Sequence, residues 1–334
     1  MRFLITGSAG FIGFHLAHHF LSQGHEVTGY DSLSPYYDIN LKKARQNLLT
    51  KHKDYTFIHA ALEDKTRLKA TFEMCRPDVV LHLAAQAGVR YSIEAPQSYI
   101  DSNLIATFNL LECARYLKPK HVLMASSSSI YGANETLPFS EQHQTDNPLS
   151  LYAATKKAGE AMAHSYAHLF DLPITALRFF TVYGPWGRPD MALFKFTKAI
   201  LEGQKIDIYN RGEMYRDLTY IDDLVTAISL LVNCIPPSPH NRPDAFRHDS
   251  LSAAAPYRTV NIGNNHRVKL IDFVSALEKV LRTQAKKNFM PMQAGDVQAT
   301  WADTRLLKEL TGYTPQTDIE KGIANFVHWY LDWI

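Results

Sequence analysis

The sequence predicts an α/β fold with a doubly wound parallel sheet and a smaller C-terminal cap that binds the substrate. Three observations support this prediction. Apolar segments of strand length alternate with segments of helical periodicity over residues 1–180. A glycine-rich turn joins the first strand to the first helix, and the alternation becomes irregular after residue 180. Because alternating strands and helices form parallel sheets with right-handed crossovers, we expect residues 1–180 to form the sheet.

The elements of this first part follow from their apolar patterns. Apolar residues recur at helical spacing from Phe11 to Leu21. The segment 78–83 is almost wholly apolar, which is typical of a strand covered on both faces. The segment 96–117 has a long amphipathic pattern. Strands are predicted at residues 1–6, 25–30, 55–60, 78–83, 121–125 and 174–179, and helices at 11–22, 40–50, 65–75, 96–117 and 150–170.

The second part of the chain has weaker signals. Residues 235–258 are rich in Pro, Ser, His and Ala without periodicity, which predicts a surface loop. Helices are predicted at 192–202, 222–233 and 269–282, with two more within 303–334, and a short strand at 260–263. We therefore expect a sheet domain over residues 1–180, completed by segments near 217–233 and 258–264, and mainly a cap over residues 181–334.

Composition and charge narrow the class of protein. The 334 residues include 35 Lys+Arg and 33 Asp+Glu, and the resulting net charge of +2 does not favour a nucleic-acid partner. Cys75, Cys113 and Cys234 have no metal-ligand spacing, which predicts buried thiols in a reducing compartment and no metal. No apolar run is long enough for a membrane span, and glycines interrupt the apolar N-terminus. A cytoplasmic protein is expected.

The turn after the first strand has the features of a dinucleotide site. Gly7, Gly10 and Gly13 allow a tight turn, a close approach of pyrophosphate to the backbone, and close packing of the helix on the strand. The N-terminus of that helix offers free N–H groups to the phosphates. Asp31 ends the second strand, where a carboxylate accepts from ribose hydroxyls and repels a 2′-phosphate, so NAD is favoured over NADP. A turn-forming role at the strand end is the alternative for Asp31.

Small residues follow the fourth strand. Ala84 and Ala85, with Gln86 after them, allow the backbone to lie along a cofactor. Simple helix packing is the alternative explanation for each of the three.

A tyrosine and a lysine form the candidate catalytic pair. Tyr152 and Lys156 are four residues apart on a predicted helix and therefore share one face. A free phenol has a pKa of about 10, and a nearby ammonium lowers it, so Lys156 is expected to make Tyr152 a better base and to hold the nicotinamide ribose. The same spacing also occurs in surface pairs. A run of serines, 126–129, at the end of the fifth strand favours the catalytic interpretation.

These motifs together resemble the extended short-chain dehydrogenases/reductases of the nucleotide-sugar epimerase and dehydratase group. The resemblance extends over essentially the full length of the chain. The family's glycine motif is Gly7, Gly10 and Gly13, its serine motif is segment 126–132, and its proton-transfer pair is Tyr152 and Lys156. The resemblance implies a Rossmann fold and a bound NAD. By similarity to the galactose epimerases, Ser127 bonds the sugar O4 and Ser129 lies next to it, near the sugar.

The resemblance also implies a larger set of binding residues. The expected cofactor contacts are Gly7, Gly10, Phe11, Ile12, Gly13, Asp31, Leu62, Ala84, Ala85, Gln86, Asn103, Tyr152, Lys156 and Tyr183. The expected substrate contacts are Arg90, Ser127, Ser128, Thr181, Arg188, Arg216, Tyr257 and Asp296. Among these, Arg216 matches the family position on the UDP phosphates, and Asp296 matches the one near the nucleotide ribose. Ala61 stands where the family usually has an adenine-binding Asp, so Glu63, Asp64 or the backbone must replace that contact.

Three segments, 87–92, 179–192 and 255–258, resemble the UDP-glucuronate 4-epimerases. A uronic acid brings a carboxylate, and Arg188 in a Gly/Pro-rich loop can supply a bidentate fork, with Arg90 as a second candidate. A solvated surface position is the alternative for either arginine.

The activity implied by this resemblance is interconversion of UDP-glucuronate and UDP-galacturonate. It proceeds by oxidation at C4, rotation of the 4-keto intermediate and re-reduction with tightly bound NAD. Another UDP-sugar 4-epimerase and a UDP-glucuronate decarboxylase are alternatives, although the serine motif lacks the acid that related decarboxylases carry. A non-catalytic NAD-sensing protein is a further alternative, but such proteins typically lose the Tyr/Lys pair. The family also implies a homodimer, formed through helices 96–117 and 150–170.

Overall fold

The computed structural model describes residues 1–241, 249–293 and 297–334. Its strands are β1 (Arg2–Thr6), β2 (Glu26–Asp31), β3 (Tyr55–His59), β4 (Val79–His82), β5 (His121–Ser127), β6 (Ile174–Phe179), β7 (Thr181–Tyr183), β8 (Lys205–Tyr209), β9 (Tyr215–Tyr220), β10 (Tyr257–Ile262), β11 (Arg267–Lys269) and β12 (Lys286–Met290). Its α-helices are α1 (Phe11–Ser22), α2 (Ile39–Leu49), α3 (Lys65–Cys75), α4 (Tyr91–Glu94), α5 (Pro96–Tyr99), α6 (Ala106–Leu117), α7 (Leu151–Phe170), α8 (Ala192–Leu201), α9 (Ile221–Leu231), α10 (Leu270–Leu281), α11 (Arg305–Thr311) and α12 (Ile319–Trp333).

A parallel sheet of seven strands forms the centre of the molecule, in the order β3-β2-β1-β4-β5-β6-β10. The chain winds outward from β1 in both directions, which confirms the predicted α/β fold class with a doubly wound sheet. The strand order reverses between β1 and β4. In open sheets of this kind, ligands bind in the crevice outside the carboxyl ends of the strands at this reversal.

The two faces of the sheet are covered by different helices. Phe3 and Ile5 of β1 belong to a buried apolar cluster that includes residues of α1 and α9. Leu4, between them, belongs to a second cluster with residues of α3, α6 and α7. This alternation follows from the period of two along a strand, and it explains why consecutive residues are apolar over 3–5 in β1 and 79–81 in β4.

Several predicted boundaries differ from the structure. The predicted helix 96–117 is interrupted, because the π-helical segment Ile100–Ile105 separates α5 from α6. The predicted strand 260–263 is the end of the longer β10, which pairs with β6 in the main sheet. Residues 242–248 of the predicted loop 235–258 lie outside the described residues.

Two small sheets lie outside the main sheet, and the sequence did not predict them; the name cap refers to these two sheets. One has the order β11-β9-β7, and the other pairs β12 with β8. Each of these strands has three to six residues and finds its partner far along the chain, so local periodicity gives little signal. In the last helix, the rings of Trp329 and Trp333 pack against Trp186 at centroid distances of 5.2 and 5.3 Å, which anchors the loop that follows β7. Within the described residues, no helix is both long and apolar enough to cross a membrane.

Candidate active site

A cavity of about 910 Å³ lies along the carboxyl edge of the sheet. It extends from the turn between β1 and α1 to strands β8 and β9 of the cap. The strands end at similar levels along this edge, because the parallel register places Thr6 opposite both Tyr30 and His82, and Ser127 opposite Phe179. The cavity is lined by these residues named from the sequence: Gly7, Gly10, Phe11, Ile12, Gly13, Asp31, Leu62, Ala84, Ala85, Gln86, Arg90, Ser127, Ser128, Ser129, Tyr152, Lys156, Thr181, Tyr183, Arg188 and Arg216.

Two residues named from the sequence are not part of this lining. Tyr257 begins β10 opposite Ile174, at the amino end of the strands, and its ring contacts His164. Tyr257 therefore lies at the wrong edge of the sheet for a substrate contact. Asn103, in the π-helical segment, instead holds protein groups together, as described below. Asp296 lies outside the described residues.

Asn103 connects the loop after β4 to the helix that carries the tyrosine–lysine pair. Its side chain accepts a hydrogen bond from the backbone N–H of Gln86 at 2.8 Å and donates to the Gln86 carbonyl at 3.0 Å. It also donates to the hydroxyl of Thr155 on α7 at 3.0 Å. Asn103 therefore has a positioning role, and its expected contact with the cofactor stays a prediction. Short π-helical segments are frequent at functional sites, and here the segment turns Asn103 inward.

The glycine turn is shaped for close approach to a backbone. Gly7 has φ +73°, and a Cβ there would lie 2.8 Å from the backbone nitrogen of Ala84. A Cβ at Gly13 would lie 2.1 Å from the carbonyl oxygen of Gly7. Only glycine fits these two positions, and the N-terminus of α1 therefore comes close to the strand end. This arrangement suits a dinucleotide pyrophosphate.

Asp31 stabilises that turn through hydrogen bonds from backbone N–H groups. Its Oδ2 accepts a hydrogen bond from the N–H of Ala9 at 3.0 Å, and its Oδ1 accepts one from the N–H of Leu33 at 2.8 Å. Each carboxylate oxygen has a further lone pair, and the side chain lines the cavity. The turn-forming and ribose-binding interpretations of Asp31 are therefore compatible.

Lys156 points at the end of β5. The N-terminus of α7 is capped by Ser150, whose hydroxyl accepts from the N–H of Ala153 at 3.1 Å. This fixes the helix so that Nζ of Lys156 donates to the carbonyl oxygen of Ala125 at 2.8 Å. Burial lowers the pKa of Lys156 to about 8, against an opposing effect of the carboxylate of Glu160.

The surroundings of Tyr152 shift its pKa in opposite directions. Burial raises the pKa of the Tyr152 phenol, while a hydrogen bond with Ser127 and the positive charge of Arg188 oppose that effect. Ser127 and Arg188 therefore favour the phenolate. The Lys156 ammonium donates to the Ala125 carbonyl, and its expected effect on the pKa of Tyr152 stays a prediction.

The hydroxyl groups of the serine run have different partners. The hydroxyl of Ser126 donates to Glu160 at 2.6 Å, and that carboxylate forms a buried ion pair with Arg178 at 2.9 Å. The hydroxyl of Ser127 accepts from the N–H of Ser129 at 3.2 Å, at the start of a 3₁₀ turn. The sequence analysis did not identify Glu160 or Arg178.

Arg188 lies in the loop after β7 and is held by a neighbouring carboxylate. Its Nε and Nη2 donate to the two oxygens of Asp190 at 3.0 and 2.5 Å. Burial alone would lower the pKa of Arg188, but Asp190 raises it above its usual value. Tyr36, from the loop between β2 and α2, donates to Asp190 at 3.1 Å. Neither Tyr36 nor Asp190 was singled out from the sequence, because their contact spans the two halves of the chain.

The other two arginines lie further along the cavity. The Arg90 guanidinium is 4.9 Å from the centroid of the Tyr209 ring in β8. Arg216, in β9, donates from Nη1 to the carbonyl oxygens of Tyr215 and Gln298, at 2.9 and 3.4 Å. The loop after β4 and strand β9 thus present cations to the same cavity that the glycine turn opens.

Comparison with known proteins identifies relatives of this chain. The family model described as "NAD dependent epimerase/dehydratase family" matches residues 3–242. A probable UDP-glucuronate 4-epimerase from Rhizobium meliloti (strain 1021) is 53% identical over 332 residues, which cover 99% of this chain and 97% of the relative. UDP-glucuronate 4-epimerase 1 from Arabidopsis thaliana is 45% identical over 335 residues, which cover 99% of this chain and 76% of the relative.

A solved structure matches this chain over its whole length. The crystal structure of UDP-glucuronic acid 4-epimerase from Bacillus cereus, in complex with UDP-glucuronic acid and NAD, matches with a TM-score of 0.88 and 32% identity. The match covers 100% of both chains. These findings confirm the resemblance inferred from the motifs: the chain belongs to the NAD dependent epimerase/dehydratase family.

Proposed function

We propose that this protein is a UDP-glucuronate 4-epimerase, which interconverts UDP-glucuronate and UDP-galacturonate. The observation that carries this proposal is that Tyr152, Ser127 and Arg188 line one cavity, which is continuous with the glycine turn at one end and with Arg216 at the other. The cavity thus contains a group for proton transfer, Tyr152, and two cations: Arg188 for a carboxylate and Arg216 for a diphosphate. Relatives and a solved structure with this activity support the same conclusion.

NAD fits the part of the cavity next to β1. The glycine turn and the N-terminus of α1 would hold its pyrophosphate, and Asp31 would accept from the adenosine ribose hydroxyls and disfavour the 2′-phosphate of NADP. When bound, NAD supplies the hydride acceptor for C4 of the sugar and returns the hydride in the second half of the reaction. Retention of NAD through both halves is part of the proposal.

Tyr152 acts on the hydroxyl at C4. As the C4–H bond breaks, Tyr152 takes the proton from O4, with Ser127 as a hydrogen-bonding partner. After the 4-keto sugar has turned over, Tyr152 gives the proton back to O4 on the opposite face of C4. Burial raises the pKa of Tyr152, whereas Ser127 and Arg188 oppose that effect and so favour the phenolate that takes the proton in the first step.

Arg188 holds the carboxylate at C6, and Arg216 holds the diphosphate. The oxidised sugar is a β-keto acid, which can lose CO₂. The serine motif offers hydroxyls at Ser127, Ser128 and Ser129 and no acid for proton transfer at C5. A fixed carboxylate at Arg188 therefore favours return of the hydride over loss of CO₂.

The test is proton NMR of the purified protein with UDP-glucuronate and no added NAD. The proposal predicts that UDP-galacturonate appears. A UDP-pentose with release of CO₂ would indicate the decarboxylase instead. Absence of conversion, even after NAD is added, would favour another UDP-sugar or the non-catalytic alternative.

We also propose that the protein forms a homodimer through α6 and α7. Four large side chains on these helices are exposed, with exposed fractions of 42% for Phe108, 73% for Tyr116, 37% for Leu117 and 65% for Leu169. Exposed apolar groups on adjacent helices favour burial against a second copy of the same helices. Sedimentation equilibrium is expected to give twice the chain mass of 37.9 kDa, and a single-chain mass would contradict the dimer.

A cytoplasmic location is the last part of the proposal. The three cysteines are free thiols, which is typical of a reducing compartment.

A further inference from the structure

Arg188 belongs to a hydrogen-bonded network of three side chains at the cavity wall. Tyr36, from the loop between β2 and α2, donates to Oδ2 of Asp190 at 3.1 Å. Asp190 in turn accepts from Nε and Nη2 of Arg188. All three side chains line the cavity. The loop between β2 and α2, beside the expected adenosine ribose site, is therefore linked to Arg188, the residue expected to bind the sugar carboxylate.

The geometry of the guanidinium leaves donors for a second acid. A guanidinium has five N–H donors in one plane, and Asp190 takes two of them along the Nε–Nη2 edge. The Nη1 group and the second hydrogen of Nη2 form another edge, which can bind a second carboxylate in bidentate fashion. Fixing the first edge fixes the direction of the second.

The backbone next to Arg188 is held as well. Arg45, a fully buried residue of α2, donates from Nη2 to the carbonyl oxygens of Trp186 and Gly187 at 2.6 and 3.4 Å. Its Nη1 donates to the carbonyl oxygen of Ala9 in the glycine turn at 2.8 Å. The loop therefore cannot shift easily relative to the sheet, and the remaining freedom of Arg188 is in its side chain.

We propose that Asp190 and Tyr36 are positioning residues that make the site selective for a sugar with a carboxylate at C6. This inference rests on the proposed function. Asp190 occupies one edge of Arg188 and aims the other at the substrate, and Tyr36 holds Asp190 in that position. The ion pair of Arg188 with Asp190 has no net charge, so the selectivity for a carboxylate comes from directed N–H groups rather than from an excess of positive charge. A sugar with a neutral group at C6 leaves those donors poorly satisfied, which is an effective basis for rejection.

The test compares variants that break this network with variants that break equivalent contacts elsewhere. The test variants are Asp190→Asn, Tyr36→Phe and their combination. Asp303→Asn is the control for the first, because Asp303 forms an ion pair with Arg305, also two residues away, and does not line the cavity. Tyr313→Phe is the control for the second, because its hydroxyl donates to Asp223 at 2.6 Å. Calorimetry gives Kd for UDP-glucuronate and for UDP alone, and kinetics give KM and kcat.

The proposal predicts a loss confined to the sugar carboxylate. Asp190→Asn is expected to raise Kd and KM for UDP-glucuronate about tenfold, the order of one hydrogen bond to a charged group, with Kd for UDP unchanged. Tyr36→Phe is expected to raise them by a smaller factor. Because Tyr36 contacts Asp190 and Arg188 within one network, the two effects are expected to be less than multiplicative, and the combined variant is expected to bind UDP-glucuronate only slightly more weakly than Asp190→Asn. Both controls are expected to bind like the wild type.

Other outcomes would overturn the proposal. Tighter binding of UDP-glucuronate by Asp190→Asn would show that Asp190 competes with the substrate for Arg188. Equal losses for UDP, or effects of the two substitutions that multiply, would show a general disturbance of the site. If the wild type binds UDP-glucuronate without converting it, the proposed function fails, whereas the ratios of Kd still decide the roles of Asp190 and Tyr36.

Discussion

Ser126 and Ser127 are adjacent in sequence, yet their hydroxyl groups serve different purposes. The Ser126 hydroxyl donates to Glu160, whereas the Ser127 hydroxyl contacts the phenol of Tyr152. A motif of consecutive serines identified the right segment, because strand ends meet at one edge of the sheet. It could not assign the two hydroxyls, since that assignment depends on a carboxylate from α7. For the same reason, the sequence indicated Arg188 but not Asp190 or Tyr36, whose roles arise from contacts between distant loops.

A pair of serine substitutions tests this division. Ser127→Ala is expected to reduce kcat about 100-fold, because it removes a hydrogen-bonding partner of the reacting oxygen. Ser126→Ala removes a hydroxyl of the same kind and is expected to lower the free energy of unfolding by about 1 kcal/mol, with kcat changed only a few-fold. Steady-state kinetics and urea unfolding measure the two effects. Equal loss of kcat in both variants would contradict the assignment.

At the scale of elements, the sequence was most informative where local pattern and tertiary environment agree. The bounds of α1, α3 and β6 match the prediction, because their apolar spacing and flanking residues mark both ends. The helix predicted over 96–117 was wrong in its middle, where Asn103 must turn inward to reach Gln86 and Thr155. No periodic pattern contains that requirement.

The turn between β1 and α1 gives a prediction about the cofactor. Gly13→Ala is expected to abolish retention of NAD, because its Cβ would lie 2.1 Å from the Gly7 carbonyl oxygen. Gly24→Ala is the matched control, since Gly24 has φ +78° but nothing within 4 Å of an added Cβ. That control is expected to lose about 1 kcal/mol of stability and to keep its NAD. Mass spectrometry of the denatured proteins measures the cofactor. A folded Gly13→Ala protein with full NAD content would refute the prediction.

The segment after β5 gives a prediction about pH. Burial raises the pKa of Glu141 to about 7, although its Oε1 accepts from the N–H of Asn261 at 2.8 Å. Because the folded pKa lies above that of the unfolded chain, the contribution of Glu141 to stability is fully present below about pH 4 and is lost as the pH rises through about 7. Glu141→Gln keeps the acceptor and removes the ionisation.

At pH 8.5 the free energy of unfolding of Glu141→Gln is expected to exceed that of the wild type by about 2 kcal/mol. At pH 5.5 this difference in free energy is expected to be smaller. Urea unfolding at both pH values measures this. A difference that does not depend on pH would contradict the buried, titrating carboxylate.

At the scale of the whole molecule, one cavity joins a cofactor edge built by the sheet to a substrate edge built by the cap. The sheet could be predicted from alternating strands and helices, and its carboxyl edge from the glycine turn and the serine motif. The cap could not, because strands such as β8 and β12 pair only across long stretches of chain. Tyr257 lies in the main sheet, where the resemblance suggested a substrate contact, but its strand begins at the opposite edge.

The central claim is that hydride leaves C4 of the sugar and returns to the same carbon within one binding event. The most direct measurement uses UDP-glucuronate with deuterium at C4, in ordinary water, with the wild type and Tyr152→Phe. NMR of the product reads the isotope at C4. The account predicts that UDP-galacturonate retains the deuterium at C4 and that Tyr152→Phe forms it far more slowly. Product that has lost its deuterium to solvent would contradict the account.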